Sequence, residues 1–233
     1  MRNVVLALTS LLLLVSSAFG ITVFTTDFEA GLPAAFSGAG SVQATGGFSG
    51  LGFGSDHLRN DSAGNPAAAS VLSLAGLGAH TLLNLHLDMI AWDSWDGHAG
   101  CCNPDLFNVE VDGALVFQAD FRNVDGFSNP NVVVGPAVIE LTPGLLADHG
   151  LNLWGDSGFR IALTGLSHSS GTATIRFFAS GAGWQSGFDE SWGIDNVHVE
   201  TNAGGVVPEP GAWTLLGGGL MAIGSLRLRR RRR

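Results

Sequence analysis

The chain has 233 residues, 45% of them hydrophobic and only 13% charged, with 34 Gly, six Trp, 14 Phe and no Tyr. That much Gly, roughly twice the usual share, excludes a coiled coil or long-helix protein, and the Trp and Phe content excludes a disordered acidic tail. The net charge of -9 is unevenly placed: between Ile21 and Glu200 only four Arg face 19 acidic residues, a balance that disfavours nucleic acid as a partner, while six of the 11 Arg crowd the last seven positions. Residues 1–20 read as a secretory signal, with Arg2 before an apolar run at 4–15 and small residues at Ser16, Ala18 and Gly20 that permit cleavage after Ala18 or Gly20. The candidate mature domain, 21–201, shows apolar residues at period two. Strands are predicted over 21–28, 69–74, 83–89, 107–111, 115–117, 132–134, 159–163, 174–178 and 192–199. Asp112-Gly113 between two of them predicts a type I′ hairpin. Many short strands with Gly-rich turns, and no long period of 3.6, predict an all-β antiparallel sandwich. A linker at 202–207 leads to Pro208-Glu209-Pro210, an uncharged stretch at 211–226 and the Arg cluster at 227–233. An apolar run backed by Arg reads as a transmembrane stop-transfer element.

The order Pro208-Glu209-Pro210, short Gly-rich apolar run and terminal Arg cluster resembles the PEP-CTERM sorting signal over 208–233. The resemblance implies export and anchoring in the inner membrane. It further implies recognition of Pro208, Glu209 and Pro210 by an exosortase, a membrane-embedded transpeptidase. Release to the cell surface or extracellular matrix would follow. The body resembles the secreted jelly-roll sandwiches of carbohydrate-binding modules and MAM-like domains. Thr26-Asp27-Phe28-Glu29, Asp93-Ser94-Trp95-Asp96-Gly97, Pro104-Asp105-Leu106-Phe107, Val111-Asp112-Gly113 and the block from Glu190 to Val197 carry it.

Asp27 and Glu29 alternate on a predicted strand, so they share a face about 6–7 Å apart. In jelly rolls the first and last strands are commonly neighbours, which would bring Asp195 to the pair. Three carboxylates and nearby carbonyls could surround a structural Ca²⁺, and the resemblance points the same way; the alternative is a solvated acidic edge. Asp93, Asp96 and Asp105 form a second acidic group whose spacing is not that of an EF-hand. Trp92 and Trp95 beside Asp93 and Asp96 make a candidate glycan site, against the alternative that the indoles belong to the core. The seven His lack metal-like spacing, and His80 and His86 read as surface residues. Neither a Gly-x-Ser-x-Gly elbow nor His-Glu-x-x-His is present, and nothing selects a catalytic carboxylate pair. Adjacent Cys101 and Cys102 in an exported chain allow a vicinal disulfide, with free thiols or bridges to another chain as alternatives. The expectation is therefore a non-catalytic surface or matrix protein, Ca²⁺-stabilised, with extracellular polysaccharide as partner. The alternatives are a secreted carbohydrate-active enzyme and a purely structural matrix component.

Overall fold

A computed structural model describes residues 20–98, 103–123, 128–135, 137–146, 155–187 and 189–202. The signal at 1–19, the Cys101–Cys102 pair and the sorting tail with Pro208, Glu209 and Pro210 lie outside the described residues.

The strands are β1 (Gly20–Thr26), β2 (Phe36–Gly38), β3 (Ser41–Ala44), β4 (Asp56–Asn60), β5 (Ser70–Ala75), β6 (Leu82–Asp93), β7 (Leu106–Val111), β8 (Ala114–Arg122), β9 (Ser128–Val134), β10 (Ala137–Leu146), β11 (Asp156–Ser167), β12 (Thr172–Ser180) and β13 (Glu190–Asn202). One sheet has the order β10-β11-β6-β13-β4-β3, with β1 also on β13; the other has the order β2-β5-β12-β7-β8-β9. All these pairings are antiparallel. Within them the orders β4-β13-β6-β11 and β5-β12-β7-β8 interleave as two Greek keys do in a jelly roll.

Alternation decides which side chains fill the space between the sheets. Leu83, Leu85, Leu87 and Met89 of β6 face Phe107 and Val109 of β7 and Ile175 and Phe177 of β12 within one buried cluster. Each such side chain contributes about 1.5–3 kcal/mol by leaving water. The hairpin forms as expected, with φ of 50° at Asp112 and 80° at Gly113. First and last strands are neighbours too: Phe24 pairs with Val199 and Thr26 with Val197.

The alternation stops being one-sided at the end of β6. Ile90 and Trp92 point to the outer face of their sheet, where Phe48 and Phe53 bury them in a second cluster. Phe48 sits on the 3₁₀ segment Gly46–Leu51, a short piece that roofs the sheet. This Gly-rich stretch, which lies outside every predicted strand, thus supplies a small core of its own.

Candidate functional site

The corner formed by β1 and β13 brings Asp27, Glu29 and Asp195 into one neighbourhood. Asp195 Oδ2 accepts the Gly54 amide at 3.1 Å and Oδ1 its neighbour Asn196 amide at 2.7 Å. Glu29 Oε1 accepts the amides of Ser55 and Asp56. Asp27 Oδ1 accepts the Glu29 amide at 3.3 Å. Burial pushes the Asp195 carboxyl up to about 6, the two amides oppose that, and Asp88 and Asp27 add repulsion. The oxygen donors suit Ca²⁺ chemically. Glu29 and Asp195 are each held by backbone amides, those of Ser55 and Asp56 on one and Gly54 and Asn196 on the other, and the three carboxylates are not among those that bring one oxygen apiece within 4.8 Å of one another.

Trp92, Asp93, Trp95 and Asp96 are all buried. Trp95 is 0% exposed and its indole N–H donates to the Ser191 carbonyl at 2.7 Å. Trp92 is 3% exposed, edge-on to Phe48 at 5.2 Å, with the Arg59 guanidinium 5.1 Å above its ring. A sugar needs a free ring face, and neither indole offers one. The expected stacking platform is corrected here to a pair of core residues. His80, read as a surface residue, is buried as well, bonded through Nε2 to His168 Nδ1 at 2.6 Å.

Two other constellations emerge. The first is a depression of about 270 Å³ lined by Gly52, His86, Leu87, Asp88, Arg160 and Asn196. It lies on the outer face of the β6–β13 sheet, because Asp88 and His86 alternate with the core residues Leu87 and Met89. Arg160 Nε donates to Asp88 Oδ1 at 3.1 Å, and Asn196 Nδ2 donates to Asp88 Oδ2 at 2.8 Å and to the Gly52 carbonyl at 3.0 Å. A register shift between Asp195 and His198, with Asn196 at φ 47°, turns the Asn196 amide into this place. The Arg160 side chain remains 54% exposed.

The second is a group of three buried carboxylates. Oxygens of Asp96, Asp105 and Glu190 all lie within 4.8 Å of one another. Burial raises the Asp105 and Glu190 carboxyls well above the usual carboxylate range. Asp96 and Asp105 were visible in the sequence as an acidic loop. Glu190 was not, because only the β13–β6 register, which sets Glu190 opposite Asp93, carries it there. Arg160 and Asn196 were likewise missed; the one available signal was an Arg at an outward position of a predicted strand in an Arg-poor body.

No family model matches the chain, and no curated protein matches it. Among solved structures, it is similar to a cleaved adhesin domain of Lys-gingipain from Porphyromonas gingivalis (13% identity, 78% of this chain, 100% of that chain, TM-score 0.40). It is also similar to a CBM22 xylan-binding domain from Paenibacillus barcinonensis (12%, 79%, 97%, TM-score 0.39). A third is a cyclase from Fischerella sp. TAU (10%, 78%, 97%, TM-score 0.40).

Proposed function

We propose that this chain is an exported, non-catalytic protein of the cell surface or extracellular matrix that contacts neutral polysaccharide through the Asp88–Arg160–Asn196 depression. The observation that carries the binding part is the depression itself, where a guanidinium, a carboxylate and an amide side chain meet in an open hollow of mixed polar and apolar lining. Sugar hydroxyls both donate and accept, so such a mixed set can bond them without a change of protonation. The acidic body, four Arg against 19 acidic residues, favours uncharged glycans over polyanionic ones. Export and sorting rest on the two terminal segments of the sequence.

The test is affinity electrophoresis of the full-length protein through gels containing neutral or uronic-acid polysaccharides, with product analysis in parallel. Retardation by a neutral glycan, without sugar release, is expected. Arg160→Ala should weaken it about tenfold, the loss of one or two charge-assisted bonds. Sugar release would instead favour a carbohydrate-active enzyme, and neither retardation nor release a purely structural matrix component.

A further inference from the structure

Asp96 follows β6, Asp105 precedes β7 and Glu190 opens β13, so the three carboxylates join strands of both sheets at one end of the sandwich. The loop is tied before any ion is considered. Asp105 N–H donates to the Asp96 carbonyl at 2.7 Å, and Asp96 N–H donates to Asp105 Oδ2 at 2.6 Å. The Gln185 amide donates to Glu190 Oε2 at 2.6 Å. That satisfies one oxygen on each of Asp105 and Glu190. The other oxygen of each, Asp105 Oδ1 and Glu190 Oε1, is buried with no hydrogen-bond partner, on side chains that are 0% exposed. Native interiors rarely leave a carboxylate oxygen in that condition.

We propose that Asp96, Asp105 and Glu190 hold one hard divalent cation of the Ca²⁺ type, which ties the two sheets together at this end of the molecule. Ca²⁺ takes oxygen ligands at 2.3–2.6 Å, so ligands on opposite sides of one ion stand about 4.6–5.2 Å apart. One oxygen from each of the three carboxylates lies within 4.8 Å of the others, no farther apart than one such ion allows. A further oxygen stands close by. A Cβ on Gly183 would come within 2.1 Å of the Asn103 carbonyl oxygen and 3.0 Å of Asp105 Oδ1, so both oxygens border one point that only a glycine leaves clear. A proton shared between Asp105 and Glu190 would satisfy two of these oxygens and is the alternative that the experiment below separates from an ion. A divalent ion meets all three carboxylates. This inference does not depend on the glycan reading, and the two can fail separately.

The experiment is Tb³⁺ luminescence on the full-length protein after chelation, with thermal unfolding in chelator and in millimolar Ca²⁺. Trp95, adjacent to Asp96, and Trp184, its ring 5.4 Å from that of Trp95, are the antennae. One Tb³⁺ per chain should bind, light up on Trp excitation and be displaced by Ca²⁺. At a hundredfold excess over Kd, Ca²⁺ should raise Tm by roughly 5–10 °C. Asp105→Asn should weaken Tb³⁺ binding at least tenfold, and so should Asp96→Asn, which serves alone if the first variant does not fold. Asp195→Asn, at the other corner, should leave it in place. Absence of both Tb³⁺ emission and a Ca²⁺ shift in the wild type overturns the proposal. So does unchanged binding in a folded Asp96→Asn or Asp105→Asn variant, or loss confined to Asp195→Asn. A Ca²⁺-silent protein in which Asp105→Asn raises Tm would assign the pair to a shared proton instead.

Discussion

His57 is fully buried on β4, yet its two ring nitrogens are both used. Nδ1 donates to the Gln43 carbonyl at 2.9 Å, and Nε2 accepts the Trp92 indole N–H at 3.2 Å, which fixes the neutral tautomer. Burial lowers the imidazole from 6.5 to about 4; the bond to Gln43 opposes this and the Arg59 charge adds to it. In the unfolded chain the ring takes its proton near 6.5, so the unfolded state binds more protons between the two values. The stability this residue contributes is full above 6.5 and falls away as pH drops toward 4. His57→Gln should therefore melt with a shallower dependence on pH between 7 and 4.5 than the wild type. Buried carboxyls act alike in both proteins and cancel in the comparison, so equal slopes would refute the assignment. The same ring explains Gly193: a Cβ there would stand 2.2 Å from His57 Cδ2, so Gly193→Ala should cost about 1–3 kcal/mol in urea unfolding. Neither residue was legible in the sequence. His57 lies in a stretch with no clean alternation, and its ring is met by Trp92 and Gly193 of other strands, which its own strand does not reveal.

At the scale of elements, the β7–β8 hairpin shows how a turn anchors its neighbours. Asp112 sits at positive φ, and its Oδ1 accepts the Thr174 amide at 2.8 Å while Oδ2 meets His168 Nε2 at 3.0 Å. His168 Nδ1 in turn meets His80 Nε2, and His80 Nδ1 meets the Gly78 carbonyl. One turn residue thus links the hairpin to β12 and to the loop before β6. Asp112→Ala should cost about 2 kcal/mol by urea unfolding, one for each side-chain bond, and Asp112→Asn about half of that. This hairpin was legible because Asp-Gly and the flanking alternation are local signals. β6, β7, β12 and β13 were legible for the same reason, whereas the closing of β1 on β13 was expected only from the way first and last strands of jelly rolls commonly lie. β3 and β4 escaped because they are short, and β4 reads Asp-His-Leu-Arg-Asn without a repeating apolar face. β10 escaped because Pro143 and Gly144 interrupt it. The carboxylate group was half legible: local spacing shows Asp96 and Asp105, whereas Glu190 arrives through a strand pairing nearly a hundred residues away. Trp95 shows the converse error, since an aromatic beside acidic residues looks like a binding platform until tertiary packing places it inside.

For the whole molecule, the pairing of Gly20 with Asn202 is the organising contact. It puts the first and last described residues at one end of the sandwich, the end from which the proposed tether would hold the domain. β13 then runs 13 residues from Glu190 to Asn202, roughly 40 Å along the strand, which sets the three-carboxylate group far from the Gly20–Asn202 pair. The described domain closes its own core between these ends, so its fold and its delivery are separable. In the proposed function, export uses the apolar run behind Arg2, and retention uses the uncharged stretch at 211–226 backed by the terminal Arg. Neither needs Pro208, Glu209 or Pro210, to which the proposed function gives recognition by an enzyme rather than partition into lipid. Replacing those three residues with Ala should leave export intact and hold the protein in the inner membrane at full length. The wild type should lose the segment beyond the motif and appear at the surface or in the matrix. Membrane fractionation of the exporting host, followed by intact-mass measurement of each fraction, distinguishes the two. If wild type and variant lose the tail to the same extent, the motif is not the recognition element. If both keep it, the apolar run is a permanent anchor and the domain remains a membrane-bound surface protein.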